Sequence, residues 1–314
     1  MAPMRTHFRR FIGISLGGGR GKNTAVARLE PSGDGGPLVV AEARTREAER
    51  GGGQLEGESP GAPFRDAELV RWLERWVDDD TLVAVDAPLT LPVCVRCQLE
   101  CPGFDACEVP VVAWMRKWGP ELHERTGRSD PKKPHVTPYT QRATELVLER
   151  LTLQPREALG QGMGPLAARA AYLRRVMASR LRVHDNLIEV HPRATLIRAF
   201  GLARERATRV GDTADAIEAR RQALFDFSEG LRFDRVWPDL VVRRVQVFHA
   251  VVCAFTALSY ATEGQPGPLA ALRGRSDPLL AEALGALGDS WREDGWIYAP
   301  SPRTTVVVDP ESPE

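Results

Sequence analysis

The N-terminal part of the chain has the apolar spacing of strands, interrupted by one helix. An apolar run that ends in three glycines begins this part, and two segments of alternating apolar and polar residues follow it. Helical spacing over 67–77 then predicts a helix, and a run that is apolar throughout predicts a strand at the centre of its sheet. The four predicted strands cover 11–16, 24–29, 38–43 and 81–85.

Beyond residue 108 the apolar spacing is mostly helical, with one short apolar run before Pro192 that predicts a fifth strand over 187–190. Three antiparallel strands followed by crossover units predict an α/β fold, in which helices flank a mixed sheet. The segment 108–182 is then a helical insertion between the fourth and fifth strands. The predicted helices of this part cover 111–122, 140–153, 164–181, 194–202, 213–227, 240–262 and 277–287.

The bulk properties describe an ordinary globular chain. Its 314 residues show no linker or internal repeat, so we predict a single domain over 1–300 and a loosely ordered tail over 301–314. The 42 basic and 42 acidic residues cancel, which argues against a protein that coats nucleic acid through its overall charge. No apolar run reaches the about 20 residues that span a bilayer, and no signal-peptide pattern follows the N-terminus. We therefore expect a cytoplasmic protein with no membrane partner.

Four of the five cysteines crowd into one segment, residues 93–108, after the fourth strand. This crowding favours a metal centre, because the cysteines of a disulfide framework are spread along a chain. Four thiolates satisfy either zinc or a four-iron, four-sulfur cluster, and both remain open. Zinc is the more common structural metal, whereas four close ligands with a proline after one of them are typical of clusters. We expect a structural role for the four ligands, Cys94, Cys97, Cys101 and Cys107.

Two carboxylates lie at the ends of predicted neighbouring strands. Asp86 ends the fourth strand and Glu189 ends the fifth, at the edge where open α/β sheets bind ligands. A glutamate within an apolar strand is unfavourable unless it is paired or bound to a metal. The pair predicts a shared site for a divalent metal such as Mg²⁺ or Mn²⁺. The alternative interpretation is that Asp86 only caps the turn before Pro88.

Five segments resemble, in their order and spacing, the domain-of-unknown-function family 429. That family is regarded as predicted nucleases of RNase H-like fold, and the likeness runs from about residue 10 to 300. The resemblance implies an RNase H-like sheet with four acids that hold Mg²⁺ or Mn²⁺ for cleavage of a phosphodiester. The segments are Ile12-Gly13-Ile14-Ser15-Leu16, Val85-Asp86-Ala87-Pro88-Leu89, Glu189-Val190-His191-Pro192, Phe248-His249-Ala250 and Glu293-Asp294-Gly295-Trp296-Ile297.

The chain departs from the family's pattern at two of the four acid positions. It carries Ser15 on the first strand and His249 on the late helix, where the pattern would place aspartate. Serine is a weak neutral ligand, and a histidine nitrogen is poorly matched to Mg²⁺. One interpretation is a single softer metal held by Asp86, Glu189 and His249, with His191 close by. Another is that catalysis is lost and the fold is kept for binding, with His249 a buried structural histidine.

Two basic features suggest phosphate contacts. The loop after the first strand is rich in glycine over residues 17–21 and contains Arg20, with Lys22 directly after these glycines. It resembles the phosphate loop of actin-like sugar-kinase ATPases. A plain hairpin is the alternative. A run of arginines without an acidic residue could line a groove for a nucleic-acid backbone, although a solvated helix face is the more common explanation for such a run. The residues of this predicted groove are Arg169, Arg174, Arg175, Arg180 and Arg182, with Lys132 and Lys133.

These observations lead to one function hypothesis and two alternatives. The leading hypothesis is a metal-dependent nuclease or phosphodiesterase of RNase H-like fold, with nucleic acid as its partner. The first alternative is a non-catalytic nucleic-acid-binding or regulatory protein of the same fold. The second is a phosphotransferase that uses the glycine-rich loop.

Overall fold

A computed structural model of the chain describes residues 7–18, 24–32, 38–46, 63–124, 136–209, 211–227, 231–264 and 267–302. The predicted phosphate contacts Arg20 and Lys22, both lysines of the predicted basic groove, and most of the predicted tail lie outside these ranges.

A mixed sheet of seven strands forms the centre of the molecule, in the order β6-β3-β2-β1-β4-β5-β7. β1 to β3 are antiparallel, while β4, β5 and β7 run parallel to β1 and β6 runs parallel to β3. The predicted α/β class with its mixed sheet is confirmed. Two edge strands were not predicted, because two residues are too short to show a period. The strands are β1 Arg10–Ser15, β2 Ala25–Pro31, β3 Leu38–Arg44, β4 Thr81–Val85, β5 Leu187–Val190, β6 Leu231–Arg232 and β7 Ile297–Tyr298.

Helices cover both faces of the sheet. The single helix predicted over 240–262 is two helices, because Arg244 adopts an extended conformation between them. The helix predicted over 194–202 ends at Phe200, where Gly201 has a φ of 84°. The helices are α1 Asp66–Trp76, α2 Val93–Arg96, α3 Pro110–Glu124, α4 Ala143–Arg150, α5 Gly164–Val176, α6 Pro192–Phe200, α7 Leu202–Thr208, α8 Ala214–Phe227, α9 Pro238–Arg243, α10 Val245–Thr262, α11 Pro278–Leu287 and α12 Ser290–Asp294, with a 3-10 helix over Pro268–Leu272.

α10 lies directly on β1 and β2 and forms the largest hydrophobic core with them. A Cβ atom at Gly13 of β1 would lie 2.0 Å from the Ala250 carbonyl oxygen and 2.3 Å from the Ala254 nitrogen. Only glycine permits this backbone contact. By length and composition α10 could cross a membrane, but 72% of its residues are buried inside the protein, as in the core helix of a globular fold.

Two further cores complete the packing. α1 and α5 cover the opposite face of the sheet, against residues such as Ile14 and Val85. α3 and α4, which lie between β4 and β5 in the chain, pack with α11 in a third core. The crossover from β4 to β5 therefore carries its own helical layer beside the carboxyl edge of the sheet.

Candidate active site

Asp86 lies at the carboxyl edge of the central strands. Its backbone N–H donates to the Ile14 carbonyl oxygen over 2.9 Å, which extends the parallel pairing of β1 and β4 by one residue. Since Ile14 pairs with Val85, the buried Ser15 lies beside Asp86 at the next position. The Asp86 side chain is 27% exposed, so solvent and small ligands reach it.

His191 approaches Asp86 from the turn after β5. It is the N-cap residue of α6, and its Nδ1 lies 3.7 Å from the Asp86 Oδ1. The imidazole is only 10% exposed, and its Nε2 is buried with no hydrogen-bond partner. Buried polar atoms are nearly always paired, so a free one marks a place for a water molecule, an ion or a substrate atom.

His249 faces the same carboxylate from α10. Burial lowers the pKa of His249 to about 4; the Asp86 charge opposes this change, while the charges of His191 and Arg156 add to it. His249 is therefore neutral at pH 7, and one of its ring nitrogens carries a lone pair that can accept a hydrogen bond. The direct contact of α10 with Gly13 brings this imidazole to the strand edge.

Asp86 remains ionised at this edge despite its surroundings. Burial raises the pKa of this carboxyl, but the nearby His191 side chain, followed by those of His249 and Arg156, favours the charged form and leaves the pKa lowered. Arg156 is exposed, in the segment between α4 and α5. Sequence reasoning missed Arg156, because a single arginine in a loop carries no periodic or motif signal.

Glu189 lies on the other face of the sheet, in a buried ion pair. Arg142, which is fully buried, donates from Nη2 to the Glu189 Oε1 over 2.6 Å and from Nη1 to its Oε2 over 2.8 Å. The Leu89 N–H donates to the same Oε2 over 2.9 Å. Arg142 also binds Glu145, and the pKa of Glu145 is raised to about 7 because burial outweighs the attraction of Arg142.

The C-terminal segment closes over this ion pair. The Thr90 hydroxyl donates to the Asp294 carbonyl oxygen over 2.7 Å, and the Asp294 Oδ2 accepts the Ala143 N–H over 2.7 Å. Gly295 has a φ of 95°, and a Cβ atom there would lie 1.8 Å from the Thr90 hydroxyl oxygen. Residues that are far apart in the chain thus build one wall beside the ion pair.

The structure brings together Asp86, His249, His191 and, through strand register, Ser15, but it does not bring Glu189 to them. Val85 and Glu189 pair in register and share a face, so the residue after Val85 points the other way. Within the described ranges, no three His, Cys, Asp or Glu side chains are arranged to hold a metal ion.

The other predicted sites lie apart from Asp86. The four clustered cysteines line one cavity of about 430 Å³ beside α3. Arg169 of the predicted basic groove is buried and donates to the carbonyl oxygens of Gly17 and Phe64. Arg174 and Arg180 also donate to backbone carbonyl oxygens.

Comparison with known proteins returns one family. The family described as "Protein of unknown function (DUF429)" matches residues 32–270. No curated protein and no solved structure matches the chain significantly.

Proposed function

This chain belongs to the DUF429 family, and we propose that it hydrolyses phosphodiester bonds at the cluster of Asp86, His191 and His249. One observation carries the proposal. His191 faces an ionised carboxylate with Nδ1, and its Nε2 is buried and unpartnered at the carboxyl edge of parallel strands. A carboxylate on one ring nitrogen and a free second nitrogen are the arrangement of a general base.

Each side chain of the cluster has a separate task in this proposal. Asp86 favours the tautomer that carries its proton on Nδ1, so that the His191 Nε2 can accept a proton from an attacking water molecule. The contact of 3.7 Å is longer than a hydrogen bond and would shorten when substrate binds. Arg156 is exposed and acts on the charge of the site, so it would attract the phosphate of the substrate.

A pair of Mg²⁺ ions does not fit the residues at this edge. Mg²⁺ requires oxygen ligands, and Asp86 is the one carboxylate of the cluster, since Glu189 is bound by Arg142. By ligand chemistry a single softer divalent ion would suit Asp86, His191 and His249 better, but these three side chains are not arranged around one ion in this structure. Such an ion, when bound, would supply a polarised water molecule. The base function of His191 does not depend on it.

The test is hydrolysis of bis(p-nitrophenyl) phosphate and of single- and double-stranded DNA and RNA. Protein stripped by a chelator is compared with protein supplied with Mg²⁺, Mn²⁺ or Zn²⁺. We expect Asp86→Asn and His191→Gln each to lower the rate about 100-fold or more, as loss of a general base does. His123→Gln is the matched control, because His123 lies beside Glu149 in the helical layer.

Three results would contradict the proposal. Unchanged hydrolysis in both site variants would remove Asp86 and His191 from the reaction. Tight binding of nucleic acid without turnover under every metal condition would instead support a non-catalytic binding protein. Hydrolysis of nucleoside triphosphates that depends on Arg20 or Lys22 would support a phosphotransferase.

A further inference from the structure

Two arginines hold the four-cysteine loop, residues 94–107, in place. Arg116 of α3 donates from Nη1 to the carbonyl oxygens of Phe104 and Cys107, over 2.7 and 2.9 Å. Arg96 of α2 donates to the carbonyl oxygens of Leu91 and Glu293, over 2.9 and 2.6 Å. The protein therefore fixes the backbone of this loop at both ends without a disulfide.

The four thiols of the loop face one shared space. All four are free and line the same cavity of about 430 Å³. Four thiolates that converge in this way repel each other unless a cation lies between them.

The spacing of the four cysteines favours one of the two kinds of metal centre. In a tetrahedral zinc site, Zn–S bonds of about 2.3 Å bring the thiolates close together. In a four-iron cluster each cysteine binds a different iron, so the sulfur atoms stand further apart around a larger body. The four cysteines lie within 14 residues of the sequence and line one cavity of about 430 Å³, whereas zinc ligands are more often two separated pairs. Pro102 after Cys101 is also typical of cluster ligands.

We propose that Cys94, Cys97, Cys101 and Cys107 bind a four-iron, four-sulfur cluster with a structural role. Cys94 and Cys107 pack against the third core, and the loop begins four residues after Thr90, which binds Asp294. The cluster would brace the segment that leads from Asp86 to α3. This inference does not rest on the proposed hydrolysis.

The experiment is metal and sulfide analysis of the full chain, purified under nitrogen. We expect about four iron atoms and about four acid-labile sulfides per chain. The protein should also show a broad absorption band at about 400 nm that dithionite bleaches. Cys97→Ser and Cys101→Ser should each lose most of the iron. Cys253→Ala should retain it, because Cys253 is buried in α10 away from the loop.

A second measurement covers loss of the cluster during purification. Apoprotein is incubated with ferrous iron, sulfide and a thiol reductant under nitrogen, and the absorption and iron content are measured again. Uptake by the wild-type chain but not by Cys97→Ser supports the cluster. One zinc atom per chain without sulfide would overturn the proposal, as would a wild-type chain that takes up no iron in either measurement.

Discussion

Ser15 and His249 occupy two positions beside Asp86 where a change of side chain would alter the ligands available to an ion. The family's pattern would place aspartate at both positions, and the structure brings both to the same carboxylate. We predict that the double variant Ser15→Asp/His249→Asp gains Mg²⁺ binding and Mg²⁺-dependent cleavage, because two hard oxygen ligands join Asp86. Isothermal titration with Mg²⁺ and the phosphodiester assay measure this. Ser15→Asn/His249→Asn is the control of matched shape, and equal Mg²⁺ binding by both variants would refute the prediction.

Glu145 makes stability depend on pH in a direction opposite to ordinary salt-bridged acids. Its folded pKa is about 7, above the ordinary value of 4.5, so its stabilising contribution is complete below pH 4.5 and is lost as pH rises toward 7. Glu145→Gln removes this loss. We predict that the unfolding free energy of the variant minus that of the wild type increases by about 1–3 kcal/mol between pH 5 and pH 8. Urea unfolding at both pH values measures the change, with the exposed Glu282→Gln as control. A constant difference between wild type and variant would refute the prediction.

The contact between β1 and α10 is the element on which the site depends. A methyl group at Gly13 would overlap backbone atoms of Ala250 and Ala254, which cannot move without shifting the helix that carries His249. We predict that Gly13→Ala lowers the unfolding free energy by about 3 kcal/mol or more, because overpacking against backbone finds no rotamer to relieve it. Gly18→Ala is the control, since a Cβ atom there meets no atom within 4 Å. Equal urea midpoints of the two variants would contradict this role of α10.

The sequence predicted most elements, because their apolar patterns are long or unbroken. Both central parallel strands were predicted with the bounds that the structure has, 81–85 and 187–190. The prediction that Asp86 and Glu189 share a site depended on the strand register, which the alternation of side chains along a strand does not reveal. One residue of offset sends neighbouring side chains to opposite faces. The bond from Arg142 to Glu189 spans 47 residues, and such long-range pairs leave no local pattern.

Across the whole molecule, arginines donate hydrogen bonds to partners inside the protein as well as carrying charge at its surface. Nucleic-acid binding stays a prediction. Arg156 is an exposed cation whose charge acts on both Asp86 and His249. We predict that Arg156→Ala weakens binding of a single-stranded oligonucleotide and lowers the salt slope of log K by about one. Fluorescence anisotropy across salt concentrations measures the slope. Arg175→Ala, on the predicted basic groove, is the comparison, and an unchanged slope for Arg156→Ala would exclude a phosphate contact.

The wall that Asp294 and Gly295 complete beside the ion pair sets an order of events during synthesis of the chain. Thr90 finds its partner 204 residues later in the chain, and Ala143 finds its partner 151 residues later. A ribosome must therefore translate as far as residue 294 before this wall can form. Nascent chains that end before residue 294 would present the sheet without the segment that binds Thr90 and Ala143. Such products would thus carry an unfinished wall and be more exposed to proteases.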